Sequence, residues 1–168
     1  LWDQNLNLCY VVGQQFGLGS QEVSDALGDY QSSSHRLKVI PFSRGRVIDD
    51  TYNANPEGVR YALSFMAGFS GRKLFILGDM LELGDKSAQF HQDIVADALD
   101  SGVSLVCTVG TETKVIECED LEVYHFDSKQ DLHEFLKCEV KVSDVVLVKG
   151  SRGMRMEETV AYLEGMDD

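Results

Sequence analysis

The sequence predicts an α/β domain, a mostly parallel sheet with helices on both faces, preceded by a short helical segment. Three observations carry this. From residue 36 onward, apolar runs of strand length alternate with segments of helical period. Runs such as "DVVLV" (144–148) are continuously apolar, as parallel strands buried on both faces are. Glycine or clustered polar residues follow the strand ends, in "DDTYNANP", "GDMLELGD", "GTET" and "KGSRG", whereas the helix-to-strand joints "SGR" and "SGVS" are plain. Ligands of a doubly wound sheet bind beyond the carboxyl ends of its strands. The asymmetry therefore places a crevice along one edge.

The elements follow in order. Residues 4–17 carry apolar side chains on a helical period and end at Gly17, a C-cap residue. Ser20 caps a second short helix, "SQEVSDALGDY". The polar joint "QSSSHR" (31–36) is the domain boundary. "RLKVIPF" (36–42) and "GRVID" (45–49) read as a hairpin. Further strands are expected at 73–77, 104–109, 121–126 and 144–149, and helices at 56–69, 86–101, 111–118, 128–138 and 153–165. Asn55-Pro56 supplies a helix start, because Asn caps well and Pro suits the first helical position.

Composition removes several function classes. The 168 residues suit one domain, or one domain plus part of another, and 43% are hydrophobic, enough for a core. Lys and Arg total 15 against 28 Asp and Glu, a net charge of −13, so the clustered cations of a nucleic-acid surface are missing. Cys9, Cys107, Cys118 and Cys138 show no zinc or redox spacing and read as reduced thiols of a cytoplasmic protein. No apolar run is long enough for a membrane span, so no membrane insertion is expected. Without an initiator Met or signal peptide, the chain reads as the middle of a larger protein.

The chemistry concentrates at strand ends. Asp49 and Asp50 are adjacent, so strand alternation points them to opposite faces and excludes a proton-sharing pair. One of them faces the crevice, where a carboxylate can accept ribose hydroxyls; the other packs or caps. Tyr52 and Asn53 can stack on or hydrogen-bond to a ligand, or simply occupy a turn. Asp79, Glu82 and Asp85 could hold Mg²⁺ through oxygens, but solvated loop charge explains them better. "VKGSRGMRME" (148–157) ends a strand, brackets Ser-Arg with glycines and opens a helix, with Lys149 and Arg152 adding positive charge for an anion. The four histidines have no metal-ligand spacing. There is no Walker loop, no G-x-G-x-x-G and no G-x-S-x-G.

Taken in order, "HRLKVI…GRVIDDTYNANPEG", "LFILGDMLELG" with "FH" at 90–91, and "VLVKGSRGMRME" resemble the Mur ligase family of peptidoglycan synthesis. The wording "DDTYNANP" with "GDMLELG" is similar to the branch that adds D-Ala-D-Ala. The resemblance implies that residues 1–31 are the helical tail of a central ATPase domain and 36–168 a Rossmann-like third domain. It implies an ATP-dependent ligase that joins D-Ala-D-Ala to a UDP-N-acetylmuramoyl tripeptide through an acyl phosphate, acting as a monomer. ATP and Mg²⁺ would be held mainly by preceding domains, so this chain alone would be inactive. Asn5, Arg36, Asp50, Tyr52, Asn53 and Asn55 match the nucleotide side, although "WDQN" departs from the family's usual wording around Asn5. Lys149, Ser151 and Arg152 match the D-Ala-D-Ala side, with Arg152 clasping the carboxylate. The alternatives are a sister Mur or folylpolyglutamate-type ligase and a non-catalytic nucleotide-binding domain.

Overall fold

The computed structural model describes residues 2–28 and 35–166, with side chains from residue 5 in the first stretch. Contacts divide the chain into two units, residues 1–33 and 34–168. Most of the expected joint, residues 31–34, lies outside the described residues.

The first unit pairs α1 (Trp2–Gln15) with α2 (Ser20–Gly28). Gly17, at φ 82°, stops α1: its N–H reaches Gln14 O and that of Leu18 reaches Gly13 O, both at 3.0 Å. Those two bonds satisfy carbonyls that a helix end leaves open. A Cβ on Gly13 would lie 2.5 Å from Val23 Cγ2, so its absence admits α2. The expected Ser20 cap is displaced by one residue. Ser20 starts the helix, and the Glu22 carboxylate reaches back to accept the Gly19 N–H at 2.7 Å. Leu8, Val12, Phe16, Leu18 and Leu27 line an open apolar groove.

The second unit holds β1 (Lys38–Phe42), β2 (Gly45–Asp50), α3 (Pro56–Ala67), β3 (Lys73–Gly78), α4 (Ser87–Asp100), β4 (Leu105–Val109), β5 (Glu122–Phe126), α5 (Lys129–Glu139), β6 (Asp144–Lys149) and α6 (Glu157–Glu164). The sheet order is β1-β2-β6-β3-β4-β5. β1 is antiparallel to β2, and every other pairing is parallel. Alternating side chains build two cores. Ile48, Phe75, Leu77, Val106, Val145 and Leu147 pack with α3 and α4. Val47, Leu74, Ile76, Cys107, Val146 and Val148 pack with α5 and α6. Right-handed crossovers explain the division: the chain moves outward from β2 to β4 over one face and returns from β5 to β6 over the other. Burial pushes the Cys107 thiol up to about 12, which makes it inert.

Two expected helices are shorter than their patterns. Residues 111–118 form only a 3₁₀ turn at Glu112–Val115, after which Ile116 turns extended and enters the core. The helix expected at 153–165 begins at Glu157. A 3₁₀ turn at Arg152–Met154 and a left-handed Arg155 (φ 51°) precede it. The break lets Met156 drop into a seat where a Cβ on Gly150 would lie 2.6 Å from its Cγ. The loop "KGSRG" therefore does not open directly onto a helix terminus, and no helix N-terminus stands there to favour an anion.

The amino ends of the parallel strands are closed by Arg72. Its Nε and Nη2 donate to the two carboxylate oxygens of buried Asp144 at 3.1 and 2.8 Å. Nη1 donates to Glu139 Oε1 at 2.6 Å, and Nη2 to the Glu139 carbonyl at 2.7 Å. The hydrogen bonds to Asp144 raise the guanidinium pKa above its ordinary value. Between α5 and α6, His133 stacks on Tyr162 with centroids 4.3 Å apart, and its Nε2 lies 3.0 Å from Thr159 Oγ1. Burial, then Lys129, hold the His133 pKa below its ordinary 6.5.

Arg72→Ala should destabilise the chain by about 3 kcal/mol in urea denaturation, because it strands the buried Asp144 carboxylate. For His133 the unfolded state binds the proton more tightly. Stability contributed here is full above pH 6.5 and falls as pH drops below it. His133→Phe should flatten the stability profile in that window, measured by urea denaturation at stepped pH.

Candidate functional site

The parallel strands end together at Asp50, Lys149, Gly78 and Val109. The loops after β2 and β3 turn to the α3/α4 face, while the loop after β6, between them, turns to the α6 face. Such a reversal opens a crevice at the strand ends.

Asp49 and Asp50 point to opposite faces, as strand alternation requires. Asp49 is buried: Oδ1 accepts from Thr51 N at 3.2 Å and Thr51 Oγ1 at 2.7 Å, and Oδ2 pairs with His35 Nδ1 at 2.8 Å. Asp50 shares its face with Lys149, its register partner on β6. Lys149 Nζ donates to Asp50 Oδ2 at 2.5 Å and to the Asn53 carbonyl at 2.8 Å. The lysine side chain is only 4% exposed and that of Asp50 13%. Asp50 Oδ1 accepts the Leu37 N–H at 3.2 Å.

Together the two carboxylates hold the strap 35–37, where His35 (φ 66°) and Leu37 (φ 49°) adopt left-handed backbone that side chains disfavour. The strap carries Arg36, whose guanidinium carbon lies 4.1 Å from the Tyr52 ring centroid. Both residues are exposed, and Asn53 stands exposed beside Tyr52. The result is a planar cation on an aromatic face at the crevice rim. Asn55 caps α3, accepting the Gly58 N–H at 2.7 Å, as its sequence setting predicted.

Ser151 is buried. Its Oγ accepts the Leu81 N–H at 2.8 Å and lies 3.4 Å from the Ala54 carbonyl, to which it donates. Arg152 beside it is exposed, its Nη1 3.2 Å from Glu157 Oε1. Lys149 thus sits against the nucleotide-side candidate Asp50. The two candidate segments are adjacent strand ends. Asn5 lies exposed on α1, in the other unit.

Two residues were undervalued in the sequence. Asp79 is buried and accepts three backbone N–H groups, from Thr111 at 2.9 Å, Glu112 at 3.0 Å and Thr113 at 2.9 Å. It anchors the loop after β4, with both carboxylate oxygens engaged there. Buried His91 accepts the Met80 N–H on Nε2 at 2.9 Å and donates from Nδ1 to Ser87 O at 2.8 Å. The run "GDM" directly after a strand end was the available signal. Among the described residues, no group of three or more His, Cys, Asp or Glu could hold a metal.

Residues 35–152 match the family described as Mur ligase, glutamate ligase domain. The UDP-N-acetylmuramoyl-tripeptide–D-alanyl-D-alanine ligase of Bacillus subtilis is 31% identical over 168 residues, 95% of this chain and 37% of that protein. The MurF ligase of Thermotoga maritima, solved in complex with ADP, superposes with a TM-score of 0.79 at 27% identity, over 92% of this chain and 35% of that one. MurF of Acinetobacter baumannii gives 0.83 at 28% identity, over 96% and 36%. The chain spans little more than a third of the length of these relatives.

Lys149→Met should cost about 3 kcal/mol of stability by leaving Asp50 without its buried partner. Adding Asp50→Asn should recover part of that loss, a coupling read from a double-mutant cycle in urea.

Proposed function

The chain belongs to the Mur ligase family, and from that premise we propose that it is the carboxy-terminal part of an ATP-dependent ligase that adds D-Ala-D-Ala to a UDP-N-acetylmuramoyl tripeptide. The observation that carries this is the crest at the strand ends. "DDTYNANP", "GDMLELG" and "KGSRG" meet there, and each sets exposed polar groups on a buried, hydrogen-bonded base. The named relatives of this branch add support. Residues 1–31 are then the helical tail of the central ATPase domain and 36–168 the third domain. The apolar groove on α1 and α2 suits a segment that belongs to a larger core.

In this reaction ATP phosphorylates the tripeptide's terminal carboxylate. The dipeptide amine attacks the acyl carbon, the new amide C–N bond forms, the nitrogen gives up a proton to solvent or the leaving phosphate, and phosphate departs with the C–O electron pair. The chain's own residues bind and orient. Arg36, Tyr52 and Asn53 offer a stacking face and hydrogen bonds to the nucleotide. Asp50 accepts ribose hydroxyls while Lys149 holds its carboxylate in place, and Asn55 starts the helix behind it. Arg152 grips the dipeptide carboxylate through two parallel hydrogen bonds. Mg²⁺ is held by preceding domains. Nucleotide-linked substrates place the enzyme in the cytoplasm, where it acts as a monomer. Among the described residues, no helix is long and apolar enough to cross a membrane.

Titration calorimetry on the 168-residue chain should give weak ATP binding or none; tight Mg²⁺-dependent binding would defeat the proposal that half the site lies elsewhere. In the full-length enzyme, Arg152→Ala should raise KM for D-Ala-D-Ala about tenfold to a hundredfold, the worth of a charged hydrogen bond, and leave KM for ATP nearly unchanged. Asp50→Asn should act the other way round. Equal effects of each variant on both substrates would sink the division of roles.

A further inference from the structure

Ser151 is buried one residue before the exposed Arg152. Its hydrogen bonds run inward, to the loop after β3. The Ser151 N–H donates to the Asp79 carbonyl at 3.0 Å, and Oγ accepts the Leu81 N–H at 2.8 Å. The two bonds straddle Met80, whose own N–H is taken by His91 Nε2 at 2.9 Å. His91 in turn is fixed by its Nδ1 bond to Ser87 O. The side chain of Asp79 turns the other way and ties down the turn after β4 through three N–H groups. Residues 79–81 are thus held at every position, from three different elements.

The Ser151 hydroxyl also donates toward the Ala54 carbonyl at 3.4 Å. One donor and one acceptor site of this small group are therefore engaged by protein, away from the crevice. Its effect passes to Arg152 by two routes. One is the peptide bond between them. The other is Leu81, whose Cδ1 would lie 3.1 Å from a Cβ on Gly153, inside the turn that carries Arg152. That turn contains no side chain buried below the exposure of Ser151, and it ends in a left-handed Arg155. Removing the Ser151 oxygen would leave the Arg152 end of the turn held only by the Ser151 N–H on Asp79 O, since Lys129, on the Met154 and Arg155 carbonyls, and Met156 hold its far end.

We propose that Ser151 is a positioning residue: with Asp79 and His91 behind the β3 loop, it locks that loop to the one after β6 and so aims Arg152 into the crevice. Only the identity of what Arg152 grips rests on the function proposed above. The lock differs from a direct contact of Ser151 with the dipeptide in what it predicts for the free chain and for paired substitutions.

Two measurements test it. In the 168-residue chain, Ser151→Ala should speed hydrogen exchange at the Leu81 amide at least about tenfold and lower the Arg152 backbone order parameter from the rigid range, about 0.85, toward the flexible one. Ser151→Thr keeps the oxygen and should restore both. Unchanged exchange at Leu81 and an unchanged order parameter in Ser151→Ala would overturn the proposal. In the full-length enzyme, Ser151→Ala should raise KM for D-Ala-D-Ala about tenfold without moving KM for ATP, and the double variant with Arg152→Ala should be no worse than Arg152→Ala alone. Additive losses would mean that Ser151 touches substrate itself. A full-length enzyme inactive on D-Ala-D-Ala would defeat the functional reading, while the exchange and relaxation results would still decide the lock.

Discussion

A buried lysine sets the terms for this site. Lys149 ends a strand flanked on both sides, with its ammonium almost out of reach of water. An ammonium there is strongly unfavourable unless a carboxylate and further acceptors surround it. β2 supplies both: Asp50 in register beside it, and the Asn53 carbonyl just beyond. A slip of one residue between β2 and β6 would turn the carboxylate to the other face. The pair therefore ties strand register to the shape of the loop after β2. Through Asp50 Oδ1 it also reaches the left-handed strap that carries Arg36.

The two ends of the sheet use charge differently. At the amino ends, Arg72 is half-buried and spends its hydrogen bonds on Asp144 and Glu139, within the fold. At the carboxyl ends, the charges in the interior are also matched, but a second layer stands above them. Arg36 and Arg152 lie exposed on bases fixed by Asp49, Asp50, Lys149 and Ser151. Binding groups placed on a rigid base lose less conformational freedom when a ligand arrives. Asp49, Lys149 and Ser151 thus brace the exposed arginines from within the fold.

Much of this was legible because it is local. The hairpin, the buried parallel strands and the Asn55-Pro56 helix start each follow from a few adjacent residues. So does the divergence of Asp49 from Asp50. What escaped depends on strand order. Lys149 and Asp50 are 99 residues apart, and nothing in either motif says that β6 inserts between β2 and β3. The helix expected at 153–165 failed for a related reason. Met156 had to reach a pocket formed by Gly78, the last residue of β3, and Gly150, just past β6, and the helix gave way. Asp79 looked like a solvated loop acid because its three N–H partners lie 32 to 34 residues on.

The pleat supplies a rule that the motifs alone do not. In "DDTYN", Asp49 and Thr51 turn inward and bond to each other, while Tyr52 and Asn53 emerge into solvent. In "KGSR", Lys149 and Ser151 are buried and Arg152 emerges. Each motif first runs on with strand alternation, its polar groups engaged by protein, and offers side chains only where that alternation ends. A polar residue at a strand end can therefore brace a loop, as Lys149 and Ser151 do, or stand exposed, as Tyr52, Asn53 and Arg152 do. Lys149 is the last paired residue of β6, and Ser151 lies two beyond it, still within the pleat's reach. Arg152 is the first residue past it, exposed and paired with Glu157.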